Sequence, residues 1–99
     1  MVKHIVLFKL KDEISENDKL KTANDFKQAI EALPPVIDVI RKIEVGININ
    51  PGESWHIALY SEFDSLEDVK TYATHPAHVE AGKIIANAKD NRSCVDYII

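Results

Sequence analysis

The chain has 99 residues and a formal net charge of −4, with 45% apolar and 28% charged residues. This length predicts a single domain over residues 1–99, and the composition is that of a globular protein rather than a disordered or repetitive one. The acidic balance argues against nucleic acid as a partner, and no apolar run is long enough for a membrane helix. Cys94 is the single cysteine, which excludes an internal disulfide and predicts a reducing, cytoplasmic location.

The first predicted element is a strand over residues 2–10. Its alternate side chains divide between two largely apolar faces, one with His4, Val6, Phe8 and Leu10 and the other with Ile5 and Leu7. Apolar residues on both faces indicate a strand that is covered on both sides. Because so short a chain has helices enough for one side only, we expect a second subunit to cover the face with Ile5 and Leu7.

The second predicted element is an amphipathic helix with Ser15 as its N-cap and acidic residues in its first turn. Apolar residues at spacings of three and four form its core-facing stripe: Leu20, Ala23, Phe26, Ile30 and Leu33. The helix ends before Pro34 and Pro35, because a residue that precedes proline avoids the helical conformation.

Two strands are predicted next, over 36–46 and 55–63, with a turn between them. The first is a run of β-branched residues, and the second alternates, with Ile57 and Leu59 on its apolar face. A short helix capped by Ser65 follows, and Pro76 opens another helix that reaches about Lys89. Residues 93–99 form the last strand. The order β-α-β-β-α-β predicts an α+β fold, the ferredoxin-like split βαβ arrangement.

Four histidines are the first candidates for acid–base chemistry: His4, His56, His75 and His78. His75 and His78 lie three apart at a helix start, so they either share a face that binds a metal or simply mark that start. His4 is interpreted as a core or a pocket histidine, and Tyr72 as a core or a site residue. No group has the closed spacing of metal ligands, so no metal site is predicted.

Several motifs match a known family of small proteins. They are the opening Val-Lys-His-Ile-Val-Leu-Phe-Lys-Leu, the segment Phe63-Asp-Ser-Leu-Glu, the block Tyr72-x-x-His75-Pro76-x-His78, and the closing Asp96-Tyr97. In them the chain resembles the stress-responsive A/B barrel (Dabb) family over essentially its whole length. The resemblance implies a homodimeric α+β barrel, in which two ferredoxin-like sheets pack face to face with the helices outside.

The resemblance also implies a site. A plant polyketide cyclase of this family needs no cofactor, and its catalytic pair is a Tyr and a His. This pair matches Tyr72 and His78, and a further histidine in the pocket of that enzyme matches His4. A neutral imidazole can take a proton next to a carbonyl, and a phenol can donate to the enolate oxygen. The predicted substrate-binding residues are Val6, Phe8, Phe26, Leu59 and His75. A few members hold a cation on backbone carbonyls around residues 33–39, where no functional site is predicted.

Two functions stay open at this point. One is a cofactor-free lyase or cyclase that acts on an enolisable, polyketide-like substrate through the Tyr–His pair. The other is a non-catalytic dimeric module whose pocket holds a small apolar ligand or nothing. An enclosed cavity on which His4, Tyr72 and His78 converge favours the enzyme, whereas a filled core favours the module. Small residues in the last helix indicate that a long alkyl tail is not held.

Overall fold

The computed structural model describes residues 1–99 as a four-stranded antiparallel sheet with three helices. The elements are β1 (Val2–Leu10), α1 (Glu16–Glu31), β2 (Lys42–Ile47), β3 (Ile57–Phe63), α2 (Leu66–Thr74), α3 (Pro76–Ala86) and β4 (Lys89–Ile98). The strands are ordered β2-β3-β1-β4 in the sheet. This is the predicted ferredoxin-like α+β architecture, and the predicted first strand is confirmed. None of the helices combines the length and the apolar character that a membrane crossing needs.

The predicted helix starts are confirmed by their capping contacts. The Ser15 Oγ accepts a hydrogen bond from the Asp18 N–H at 3.2 Å, and the Ser65 Oγ accepts one from Asp68 at 3.1 Å. At the start of α3, Pro76 occupies the first turn, where its missing N–H costs no helical hydrogen bond. These short local signals fix where α1, α2 and α3 begin and therefore where their side chains point.

The hydrophobic core lies between the helices and one face of the sheet. Val6 and Phe8 of β1 contribute to it, as predicted, together with Phe26 and Ile30 of α1. The rings of Phe8 and Phe26 meet edge to face with 5.5 Å between their centroids, an arrangement that aromatic pairs favour.

The core-facing stripe of α1 differs from the prediction at its first position. Leu20 is 53% exposed, whereas Lys19 is only 8% exposed. Counting back from the buried Ala23 by four residues gives Lys19, and Leu20 lies about 100° around the helix from it. The Lys19 stem covers apolar surface while its ammonium group lies 3.4 Å from a carboxylate oxygen of Glu16.

The strand predicted over 36–46 is shorter than its β-branched run. The carbonyl of Leu33 accepts hydrogen bonds from the N–H groups of both Val36 and Ile37, each at 2.9 Å, which forms a turn after the two prolines. Ile37 and Ile40 are buried within these turns, and β2 begins only at Lys42. The β-branched residues therefore reflect burial here rather than strand pairing.

Three further boundaries differ from the prediction. Helix α3 ends at Ala86 instead of about Lys89, and β4 begins at Lys89 instead of at residue 93. The third strand begins at Ile57, so Trp55 precedes it. In that short connection the Leu10 N–H donates to the His56 Nδ1 at 2.9 Å, which gives His56 a structural role.

The second face of the sheet has no helix over it. Ile5 and Leu7 of β1 are half-buried on this face, and Ile5 lies opposite Tyr60 of β3 and Val95 of β4. Val95 is 53% exposed. This apolar surface is the one that the sequence predicts to be covered by a second subunit.

Candidate functional site

A cavity of about 180 Å³ lies between the helices and the sheet. Seven residues that the sequence singled out line it: His4, Val6, Phe8, Phe26, Leu59, Tyr72 and His78. The sequence analysis did not single out the rest of the lining: Ala73, Gly82, Ile85, Lys89 and Arg92. His4, Tyr72 and His78 thus converge on one cavity, which is the arrangement named above as favouring the enzyme.

The three groups reach the cavity from three elements. His4 comes from β1, Tyr72 from the end of α2, and His78 from the first turn of α3. The break between α2 and α3 turns the chain so that the rings of Tyr72 and His78 meet with centroids 4.4 Å apart. The His4 ring also lies near Tyr72, at 6.2 Å between centroids. Tyr72 is therefore a neighbour of both histidine rings.

The hydroxyl group of Tyr72 is buried and makes no hydrogen bond, and the residue is only 1% exposed. A buried donor without a partner costs about 1–3 kcal/mol, so an acceptor atom placed beside it would be stabilised. Burial raises the pKa of Tyr72 well above the usual 10.0, while Arg92 acts weakly in the opposite direction. At neutral pH this hydroxyl is consequently a hydrogen-bond donor and not a base.

His78 has the complementary character. Its Nδ1 lies 2.9 Å from the carbonyl oxygen of Ala73. A carbonyl only accepts, so Nδ1 carries the proton and the lone pair of the neutral ring is on Nε2. Burial lowers the pKa of His78 below the usual 6.5, although the hydrogen bond to Ala73 opposes this. His78 is therefore neutral at pH 7, and its Nε2 is available as a base.

His4 is 7% exposed and is fixed by neighbours that the sequence analysis did not assign to the site. Its Nδ1 lies 2.5 Å from a carboxylate oxygen of Asp96 and 3.6 Å from the Cys94 Sγ. The Ser61 hydroxyl donates to the His4 backbone carbonyl at 3.2 Å. Asp96 is 92 positions away in sequence, but pairing of the first and last strands places it opposite His4.

His75 is not part of the lining, although the sequence predicted it to bind substrate. Its Nδ1 accepts a hydrogen bond from the Ala77 N–H at 3.0 Å and caps α3. The Nδ1 atom of His75 is therefore engaged at the helix start.

The charged side chains of the cavity lining are both basic. They are Lys89 and Arg92 of β4, and both residues are exposed. No carboxylate contributes to the lining. Lys89 and Arg92 therefore favour a ligand that is negatively charged, or one on which negative charge develops during a reaction.

Comparisons with known proteins agree with this architecture. Olivetolic acid cyclase of Cannabis sativa is 29% identical, and the match covers 97% of this chain and 94% of the cyclase. A stress-response A/B barrel domain-containing protein of Arabidopsis thaliana is 31% identical over 97% of this chain and 87% of its own length.

A crystal structure of a dimeric protein of ferredoxin-like fold and unknown function from Bacteroides fragilis is 67% identical and superposes with a TM-score of 0.98. That match covers 99% of this chain and 95% of the other. The family model of the stress responsive A/B barrel domain (Dabb) matches residues 2–99. The chain therefore belongs to the stress responsive A/B barrel domain family.

Proposed function

We propose that this chain forms a homodimer whose helix-side cavity binds a small enolisable carbonyl compound and moves a proton within it, as a cofactor-free lyase or cyclase does. The observation that carries the proposal is the buried, unpartnered hydroxyl of Tyr72, on a ring whose centroid lies 4.4 Å from that of His78, the imidazole with a free Nε2. A neutral imidazole can take a proton from a ligand, and a hydroxyl donor without a protein partner can stabilise the negative charge that then develops on an oxygen.

The proposed step is an enolisation. His78 Nε2 takes a proton from the carbon next to the carbonyl, the C–H electron pair forms the enolate, and the negative charge collects on the carbonyl oxygen. The Tyr72 hydroxyl donates to that oxygen and stabilises it. In a cyclase the enolate carbon would then attack a second carbonyl of the same molecule, and His78 would return the proton to the new alkoxide.

The size and charge of the cavity limit the substrate. Its volume of about 180 Å³ is below the roughly 300–1,000 Å³ typical of sites for drug-sized ligands. Lys89 and Arg92 favour a carboxylate at the cavity mouth. We therefore propose that the substrate is a short β-diketone that carries a carboxylate. The small residues of the last helix likewise argue against a ligand with a long alkyl tail.

The wild-type protein tests this proposal directly. In heavy water, NMR follows the loss of the exchangeable C–H signal of acetylpyruvate, a small β-diketone with a carboxylate, and of neutral acetylacetone. We expect the protein to accelerate exchange above the buffer rate, and to do so more strongly for acetylpyruvate because of Lys89 and Arg92. Equal rates with and without protein for both compounds would contradict the proposed chemistry.

The second candidate is a non-catalytic dimeric binding module in the cytoplasm. The small cavity favours it, because about 180 Å³ is below the roughly 300–1,000 Å³ typical of small-molecule sites. The two candidates differ in one observable: the module binds acetylpyruvate without accelerating its proton exchange.

The homodimer has its own expected result. Static light scattering at micromolar concentration should give twice the 11.2 kDa mass of the chain. Sheet-to-sheet packing of the open face, centred on Ile5 and Leu7, should bury more than about 1,200 Å² in total.

Ile5→Glu should shift the protein to the monomer, because it places a charge in an apolar interface. Leu20→Glu, on the exposed side of α1, is the control and should remain dimeric. A monomeric wild-type protein would contradict this proposal.

A further inference from the structure

A second group of reactive side chains lies beside the cavity, on the helix-facing side of β4. Cys94 and Asp96 are two residues apart on this strand, so their side chains point to the same face. The register places Asp96 opposite His4 and Cys94 opposite Val6. One imidazole nitrogen, one thiol and one carboxylate thereby come within 4.8 Å of one another. The cluster joins the two ends of the chain, so the sequence spacing gives no sign of it.

The distances in this cluster are close to those of a metal centre. Zinc bond lengths of about 2.0–2.3 Å in a tetrahedron place neighbouring donor atoms about 3.3–3.8 Å apart. The His4 Nδ1 is 3.6 Å from the Cys94 Sγ, and that sulfur is 4.0 Å from the Asp96 Oδ2. The His4 Nδ1 and the Asp96 Oδ1 are closer, at 2.5 Å, because a proton lies between them. An entering ion would replace this proton, and the carboxylate would move outward by about an ångström.

We propose that His4, Cys94 and Asp96 bind a divalent ion of the zinc class, with the fourth position open to water or a small ligand. A thiolate and an imidazole together select zinc over magnesium or calcium, which prefer oxygen donors. Three protein ligands and one open position are typical of zinc sites that react with or exchange a ligand, while purely structural sites have four protein ligands. His78 is not one of the three ligands, so the proposed proton transfer does not require the ion.

Two features make the site ready for an ion. The side chain of His4 is 9% exposed and its position is fixed by packing, so little conformational freedom is lost on binding. Cys94 is exposed, and the Asp96 side chain is 32% exposed, so an ion has a path from solvent. All three residues lie on the helix-facing side of the sheet, whereas the proposed dimer uses the opposite face with Val95. The site therefore stays accessible in the dimer.

Binding is a proton exchange without a redox step. The thiol of Cys94 releases its proton as sulfur donates an electron pair to the ion, and the Nδ1 lone pair of His4 binds the ion while the ring keeps its proton on Nε2. Affinity should consequently increase as the pH rises, since protons compete with the ion for these donors.

Cobalt(II) is the probe for this site, because a thiolate ligand gives cobalt a sulfur-to-metal charge-transfer band in the near ultraviolet. We expect the dimer, after treatment with a chelator, to bind one cobalt ion per chain with this band, and zinc to displace it. Cys94→Ser should abolish the band. It should also weaken binding by at least about a hundredfold, since even the loss of a side chain that only orients a ligand costs about 10–100-fold.

Asp96→Asn and Asp90→Asn form a matched pair on β4. Both aspartates are exposed residues of this strand, but only Asp96 belongs to the cluster. Asp96→Asn should weaken cobalt binding, and Asp90→Asn should leave it unchanged. Circular dichroism checks that each variant is folded. Cobalt uptake without the charge-transfer band, or affinity that is unchanged in Cys94→Ser, would overturn the proposal.

Discussion

Replacing Phe26 with alanine is expected to lower the free energy of unfolding by about 3–5 kcal/mol, the range for deleting a buried aromatic side chain. Phe26 is 2% exposed and packs edge to face against Phe8. It also lines the cavity, so the space it leaves would join an existing void. The surrounding side chains have little means of closing a larger void, which places the expected loss in the upper part of the range.

Chemical denaturation with urea, extrapolated to water, measures this loss. Wild type and variant must be compared at one protein concentration, because the apparent stability of a dimer depends on concentration. Leu20→Ala is the control on the same helix, and it should change stability by less than about 0.5 kcal/mol since Leu20 is exposed. A loss below about 1 kcal/mol for Phe26→Ala would contradict the position of this ring in the core.

The difference between Leu20 and Phe26 shows how far periodicity predicts a helix face. Spacings of three and four identify the stripe through Ala23, Phe26 and Ile30 correctly, because these residues are apolar and buried. At the first turn the stripe falls on Lys19, whereas the apolar pattern predicts the neighbouring Leu20. Periodicity predicts core residues from their apolar type and therefore passes over a lysine. Lys19 is nevertheless buried, because its aliphatic stem packs against apolar surface.

The sequence predicts the part of the site whose residues are close together in the chain. Tyr72 and His78 lie within one short block, and Pro76 between them fixes the start of α3, so their proximity follows from the short break between α2 and α3. The contacts of His4 depend on pairing between the first and last strands. Asp96 and Cys94 could be assigned only by predicting the antiparallel register of β1 and β4. The periodicity of one strand does not say which residues of another strand lie opposite it. The sequence alone therefore does not place Asp96 and Cys94 in the site.

The largest expected effect on activity belongs to His78. If the proposed enolisation occurs, His78→Ala should reduce the accelerated exchange of acetylpyruvate by about 10²–10⁴-fold, the usual contribution of a general base. Tyr72→Phe should reduce it by about 10²–10³-fold, because it removes the donor to the enolate oxygen and leaves the ring in place. The ring of Tyr72 packs against Phe63 with centroids 5.1 Å apart, and phenylalanine keeps that contact.

Matched variants distinguish chemistry from folding. His75→Asn removes a neighbouring histidine that lies outside the cavity lining, and asparagine retains the capping function at the start of α3. Tyr97→Phe removes a partly exposed hydroxyl on the opposite face of the sheet. Both controls should keep the wild-type exchange rate. Loss of thermal stability in His78→Ala and Tyr72→Phe, with no accelerated exchange in any form, would instead support the binding module.

The pH dependence supplies an independent signature of His78. Because burial lowers the pKa of His78 below the usual 6.5, the ring should be neutral from that lowered pKa upward. The accelerated rate should therefore be constant around pH 7 and fall about tenfold per pH unit below the pKa of His78, where the imidazole is protonated and has no lone pair for the substrate proton. Burial raises the pKa of Tyr72, so deprotonation of its hydroxyl should not reduce the rate near neutral pH. A rate that rises as the pH falls from 7 would assign the base role to another group.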